Sequence, residues 1–291
     1  MLPIQHSELV LNADGSVYHL HLHPEDIADT ILTVGDPDRV AQVSKYFDSI
    51  DIKKNKREFI THTGELNGKR LTVISTGIGP DNIDIVLNEL DALVNVDLAS
   101  RQVKEQLTSL QLIRIGTSGS LQADLEVGSF LASSYALGLD NLMAFYEPKQ
   151  NLAEASLHDA LHQFWDQQPA VDYYVAQGSK ALLEKVGHAM AQGITATCPG
   201  FYAPQGRSIR LRSRFNNDFF QHMGHFQYEG QRITNLEMET SALYGLSRLL
   251  GHHALSASVL LANRVTKQFS DRPKKHIEQL IEHVLERLTS R

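Results

Sequence analysis

The sequence predicts an α/β fold with a largely parallel or mixed sheet, and three observations point to it. Short apolar, β-branched runs alternate with stretches of helical periodicity along the whole chain. Glycine-containing polar loops recur at the carboxyl ends of the strand candidates, which is where open α/β sheets place ligands. No Pro/Gly/Ser-rich linker, low-complexity tract or internal repeat divides the 291 residues, so residues 1–291 read as a single domain.

Each element has its own signal. Ile31 to Val34 is a short apolar run that ends in Gly35-Asp36-Pro37-Asp38-Arg39 and passes into Val40, Val43 and Phe47 at helical spacing. This is a strand, a tight loop and a helix start. FITHTGEL and KRLTVIST flank Asn67-Gly68, the strongest short hairpin signal. After Thr76-Gly77-Ile78-Gly79-Pro80, the recurrence of Ile83, Val86, Leu87, Leu90 and Leu93 predicts a helix. LQLIRIG predicts a strand running into a turn at Thr117-Ser118-Gly119, and GSFLASSYAL, GITAT and LSASVLLANR predict three more. Helical patterns occupy Leu152 to Trp165, Ser179 to Ala191, Met238 to Leu250 and His276 to Leu288. The polar stretch from about Tyr146 to Tyr174 and the basic SIRLRSRF from Ser208 read as insertions or a lid.

Hydrophobic and charged shares of 42% and 21% are those of an ordinary globular protein. A net charge of −7 argues against nucleic acid as partner, because a phosphate backbone requires a basic surface. A small anion needs only a few well-placed arginines, which that balance allows. Cys198 is the only cysteine, which excludes an intramolecular disulfide and a thiolate zinc cluster and fits a reducing compartment. MLPIQHSELVLNADGSV has no basic region followed by an apolar block, and no apolar run approaches the roughly 18 residues that span a bilayer. The expectation is a cytoplasmic protein that uses neither membrane nor nucleic acid.

Four arginines stand beside turn elements: Arg39 after GDPD, Arg57 at the start of the hairpin, Arg114 before Gly116-Thr117 and Arg264 after Asn263. Guanidinium groups give bidentate bonds that match phosphate oxygens, and glycine lets backbone N–H groups approach the same anion. Singly, each arginine is better explained as a solvated charge; together they point to an anion. Thr234 with Glu237 fits a helix capping box, whereas Glu239 is not needed by such a cap and suits two vicinal sugar hydroxyls. Phe201, Gln205 and Arg207 combine an aromatic face, an amide and a guanidinium, which suits a stacked uracil edge and equally suits a surface turn. His19, His21 and His23 alternate as on one strand face, without acidic or cysteine ligands clustered nearby for a metal. His158 and His162 lie at i, i+4 but lack the glutamate of a zinc-protease helix.

These segments together resemble the nucleoside phosphorylase family, and within it the uridine phosphorylases, from about His19 to the last helix. The similarity rests on GDPDRV (35–40), REF (57–59), STGIG (75–79), RIGTSG (114–119), FYxxQxR (201–207), EMET (237–240) and NR (263–264). The resemblance implies a three-layer α/β/α fold around a mixed, partly barrel-like sheet. It also implies that Gly35, Arg39, Arg114 and Thr117 bind inorganic phosphate as co-substrate, with Arg57 reaching into a neighbouring subunit's site. Met238 and Glu239 are similar to the ribose clamp, and His19, also from a neighbour, to the 5′-hydroxyl contact. Phe201, Gln205 and Arg207, with Arg264 behind them, are similar to the base pocket; Arg114, Thr117, Glu239 and Arg207 would carry the catalysis. The implied assembly is a homo-oligomer with shared sites, a dimer or a hexamer built as a trimer of dimers.

Three departures from the family pattern stand out. Val34 replaces the usual proline before GDP, and Pro80-Asp81 stands where the family commonly has a further glycine. The second bears on a potassium ion that some members hold beside the positions of Glu58 and Ile78. The spacing from His19 to Gly35 is short, which leaves His21 and His23 as alternative sugar contacts. No organic cofactor is implied. The expected reaction is phosphorolysis of uridine to uracil and ribose 1-phosphate in nucleoside salvage. The alternatives are a purine nucleoside phosphorylase, a hydrolase using water on the same scaffold, or a nucleoside-binding protein that would have lost the phosphate arginines.

Overall fold

The computed structural model describes residues 3–147, 149–165, 171–215 and 217–290. The amino-terminal half contains β1 (Thr30–Val34), α1 (Pro37–Ser44), β2 (Ser49–Lys56), β3 (Phe59–Leu66), β4 (Lys69–Ser75), α2 (Pro80–Asn95), β5 (Val96–Asp97), β6 (Gln102–Val103), β7 (Gln111–Ser120) and β8 (Phe130–Gly138). The remainder contains α3 (Leu152–Phe164), β9 (Tyr174–Gln177), α4 (Lys180–Val186), β10 (Ala191–Thr197), α5 (Asn217–Gly224), β11 (Gln227–Tyr228), β12 (Gln231–Glu237), α6 (Thr240–Leu250), β13 (His253–Asn263), β14 (Gln268–Phe269) and α7 (Pro273–Thr289).

Twelve of the strands form one mixed sheet in the order β11-β12-β10-β8-β13-β7-β1-β4-β3-β2, with β14 on β13 and β9 on β8. A further antiparallel pairing of β12 with β7, Asn235 opposite Ser120 and Leu236 opposite Gly119, closes β7, β13, β8, β10 and β12 into a barrel. The open wing, β1, β4, β3 and β2, extends from β7. Helices cover both faces of the sheet. Alternation along β1 sends Ile31 into one apolar cluster with α2 and α6, and Leu32 and Val34 into another with α1, α4 and α7. In β7, Leu112 joins the first cluster and Ile113 and Ile115 the second. Arg114 therefore projects on the α2/α6 face.

The Asn67-Gly68 turn is as the sequence predicts. Both residues have positive φ, 53° and 74°, the conformation a two-residue hairpin turn requires. Parallel pairing of β1 with both β4 and β7 brings the loops after β1 and β4 side by side, so that a Cβ on Gly35 would lie 3.3 Å from the Gly77 carbonyl.

Several local expectations are corrected. Thr117-Ser118-Gly119 is not a turn: β7 continues to Ser120 because β13 and β12 pair with it there. Arg114 and Thr117 are thus strand residues. Thr234 caps no helix; it lies inside β12, and α6 begins at Thr240 with Glu239 as its N-cap residue. The helix expected over Ser179 to Ala191 ends at Val186, with Gly187 as its C-cap residue, and Ala191 already belongs to β10. His19, His21 and His23 are in no strand, and His21 has φ of 56°. Pro148 and residues 166–170 of the stretch from Tyr146 to Tyr174 lie outside the described residues. No helix among the described residues is long and apolar enough to cross a membrane.

Candidate active site

Three neighbouring parallel strands and the start of α6 converge on one cavity of about 840 Å³. Its wall includes Gly35 and Arg39 after β1, Gly77 and Ile78 after β4, Arg114 and Thr117 on β7, and Glu237, Met238 and Glu239 before α6. Phe201, Gln205 and Arg207, in the loop after β10, line the same space. Twelve residues far apart in the chain are thus brought together by topology, since each follows or occupies a strand whose carboxyl end faces the cavity.

At its centre is a buried ion cluster. Arg114 Nη2 donates to Glu239 Oε2 and lies 3.3 Å from Glu237 Oε2. The Gly79 N–H donates to Glu239 Oε1 at 2.9 Å, tying the loop after β4 to the same carboxylate. Arg114 Nη1 is buried and has no hydrogen-bond partner in the protein, which is costly for a charged donor unless a ligand accepts it. Burial works against the Arg114 charge, but Glu239 and Glu237 outweigh it and hold its pKa above the ordinary arginine value. Burial pushes the Glu239 carboxyl above the usual carboxylate value against the pull of Arg114. Burial likewise lowers Arg39, opposed by Asp36 and assisted by the nearby Arg114 charge. Arg39 and Arg114 face the cavity with like charge, an arrangement that favours an anion between them.

The other end of the cavity is aromatic and amide in character. Arg207 Nη1 donates to Gln205 Oε1 at 2.5 Å and to the Phe201 carbonyl at 2.7 Å, and its guanidinium stacks 3.9 Å from the Phe201 ring centre. Arg264 does not line the cavity. It stands behind it, donating to the Gln205 carbonyl at 2.5 Å. Asn263 is spent on structure: its Nδ2 donates to the Gln122 and Leu125 carbonyls, and its Oδ1 accepts from the Val265 and Thr266 N–H groups. Cys198 is fully buried, and burial raises its pKa to about 12; a thiol so far from ionisation is no nucleophile.

Two of the expected site residues lie elsewhere. Arg57, in the turn between β2 and β3 with φ of 57°, is exposed and sits 5.9 Å from the Tyr18 ring. His19 neighbours the same ring at 4.9 Å. Glu89 on α2 accepts from the His19 and Leu20 N–H groups and from His19 Nδ1 at 2.6 Å, leaving Nε2 for a ligand. His21 spends Nε2 on Asp14, and His23 spends Nε2 on the Asp14 carbonyl. None of the described residues of 146–174, nor any of 208–215, lines the cavity. Glu58 and Ile78 both line it, but the Ile78 carbonyl accepts from Asn82 at 3.4 Å and the Glu58 carbonyl from Ser75 at 2.5 Å. One carboxylate is too few donors for a cation within one chain, and no group of three or more His, Cys, Asp or Glu residues that could hold a metal occurs among the described residues.

The sequence patterns gave Thr197 no role, and they gave Gly79 none beyond its place in STGIG. Thr197 hydrogen-bonds Glu237 from β10, a contact set by strand register that no local pattern announces.

Comparison with known proteins agrees with this architecture. A uridine phosphorylase of Thermococcus kodakarensis is 30% identical over 268 residues, covering 90% of this chain and 83% of that protein. A DeoD-type purine nucleoside phosphorylase of Bacillus thuringiensis is 28% identical over 82% of this chain and 83% of its own length. The crystal structure of a Trypanosoma brucei nucleoside phosphorylase that shows uridine phosphorylase activity superposes with a TM-score of 0.87 at 30% identity, covering 97% of this chain and 100% of that one. Residues 29–289 match the phosphorylase superfamily as a whole, and with the strand order and the cavity described above they establish that this chain belongs to that superfamily.

Proposed function

We propose that this chain catalyses the phosphorolysis of uridine, giving uracil and ribose 1-phosphate. The observation that carries the reading is that Arg39, Arg114 and Thr117 line one cavity with Glu239 and with the Phe201–Gln205–Arg207 group. Phosphate sits between the two guanidinium groups, Glu239 accepts from the vicinal ribose hydroxyls, and Phe201 stacks on the base. As the C1′–N1 bond lengthens, positive charge grows on the sugar between phosphate and the Glu239 carboxylate. A phosphate oxygen then closes the new C1′–O bond. Holding the nucleophile in place supplies much of the rate. Uracil departs as an anion whose charge on O2 and O4 is met by Gln205 and Arg207, and it takes its proton from solvent.

A purine leaving group calls for an acid at N7. Among the described residues, the base end of the cavity, Phe201, Gln205 and Arg207, carries no carboxylic acid that could serve. This favours the pyrimidine. His19, fixed by Glu89, is the best candidate among the three amino-terminal histidines for the 5′-hydroxyl. His19 and Arg57 lie together on the surface outside their own chain's cavity, and we place both in the site of a neighbouring copy.

The test is loss of uridine absorbance on addition of phosphate, with inosine nearly inert and no turnover in phosphate-free buffer. Turnover indifferent to phosphate rejects the phosphorylase; faster inosine cleavage moves the substrate to purines. Gln205→Ala is expected to damage base discrimination, and Arg39→Ala to raise the phosphate requirement. Arg39 is the better phosphate probe than Arg114, because removing Arg114 strands two buried carboxylates at a cost of about 3–5 kcal/mol.

A further inference from the structure

We propose that Glu237, held by Thr197, is a positioning residue for the Arg114–Glu239 pair; the inference rests on the phosphorolysis reading and concerns what keeps its ion cluster in register. β10 and β12 run parallel with Thr197 opposite Glu237. Thr197 is fully buried and does not line the cavity, so any influence it has on substrate is indirect. Its hydroxyl donates to Glu237 Oε1 at 2.6 Å and accepts from the Ser241 N–H at 2.9 Å.

The second Glu237 oxygen accepts from the Glu239 N–H at 2.9 Å, and the Thr240 N–H reaches both oxygens at 3.0 and 3.1 Å. Arg114 Nη2, which donates to Glu239, lies 3.3 Å from Glu237 Oε2 as an ion pair. Three successive N–H groups at the start of α6 are thereby bound by Glu237 and Thr197 rather than by substrate or water. The Ser241 hydroxyl in turn donates to Asp140, which also accepts from Tyr174. The first turn of α6 is pinned from two sides.

Pinning this turn fixes both the backbone of Glu239 and the direction of its carboxylate. Arg114 Nη2 is bracketed by the two carboxylates, which sets the orientation of the guanidinium at the cavity wall. Without Glu237 the Arg114–Glu239 pair keeps its attraction but loses its orientation, and phosphate and ribose contacts loosen together. An amide cannot replace the carboxylate. Donors converge on both oxygens, so the N–H2 of a glutamine meets another donor in either rotamer.

The experiment compares Thr197→Val, Thr197→Ser, Glu237→Gln and Glu237→Asp with wild type, using KM for phosphate and the ratio of kcat/KM for uridine over 2′-deoxyuridine. Both readouts are independent of the fraction of protein folded, so a destabilised variant still reports. Thr197→Val, Glu237→Gln and Glu237→Asp are expected to raise KM for phosphate about tenfold, the worth of a hydrogen bond to a charged group, and to narrow the ratio. Thr197→Ser keeps the hydroxyl and is expected to stay within about twofold of wild type. Wild-type KM and ratio in Thr197→Val and Glu237→Gln, whatever happens to kcat or stability, overturn the proposal while leaving the functional reading intact. A wild-type enzyme indifferent to phosphate overturns both.

Discussion

A Cβ on Gly116 would lie 1.8 Å from Arg114 Nη1 and 2.9 Å from the Ser258 hydroxyl. The Arg114 side chain runs forward along its own strand over this glycine, with its guanidinium beside Glu237 and Glu239. The obstructed atom is the end of a flexible side chain, so the fold can absorb an added methyl by moving it. The site cannot. Gly116→Ala is expected to cost about 1–3 kcal/mol of stability and to raise KM for phosphate about tenfold, the worth of a charged hydrogen bond. Phosphate kinetics beside a thermal melt measure both, and an unchanged KM would show that the bound arginine takes another course. The RIGTSG motif marks Arg114 and Thr117 from sequence, but not the dependence of one on the glycine two residues later.

The same methyl has a different meaning on β3. A Cβ on Gly64 would lie 2.0 Å from the Ser49 carbonyl oxygen and 2.9 Å from Ile50 Cα, opposite the register shift between Ile50 and Ile52 in β2. Both obstacles are backbone, so the strands must part. Gly64→Ala is expected to lower stability by about 1–3 kcal/mol and leave KM for phosphate in the folded enzyme unchanged; a raised KM would mean that the wing of the sheet steers the cavity. Elements that announce themselves locally, such as the β3–β4 hairpin at Asn67-Gly68 or the apolar β13, are legible in the sequence. β12 was not, because Thr234 and Asn235 look like turn or cap residues and are in fact fully buried. Their contacts run across strands: the Thr234 hydroxyl donates to the Ile194 carbonyl and Asn235 Oδ1 accepts from the Thr195 hydroxyl, while Asn235 Nδ2 is buried without a partner. The end of β7 was missed for the same reason, since only its long-range pairing with β12 and β13 makes a strand of a Gly/Ser/Thr sequence. The cavity-lining residues Arg39, Arg114, Gln205 and Arg207 could be read because they stand in motifs; Thr197 stands in none of them and acts through a contact with a segment distant in sequence.

At the scale of the whole molecule, the cavity wall of one chain contains Arg39 and Arg114 but neither Arg57 nor His19. If those two act in a neighbour's site, a catalytic unit consists of one chain's cavity and another chain's surface, and defects on the two parts must complement. Arg39→Ala disables a chain's own cavity, whereas Arg57→Ala disables the cavity of the chain beside it. Each homo-oligomer therefore has every site impaired. In a hybrid pair, the cavity of the Arg57→Ala chain retains its own Arg39 and receives Arg57 from the Arg39→Ala chain, so one site of the two is intact. Random pairing makes half the dimers hybrid, and about a quarter of all sites recover. Co-refolding equal amounts of the two variants and assaying phosphate-dependent uridine cleavage measures this directly. Activity no greater than the sum of the separate variants would place Arg57 in its own chain's chemistry or outside the reaction altogether.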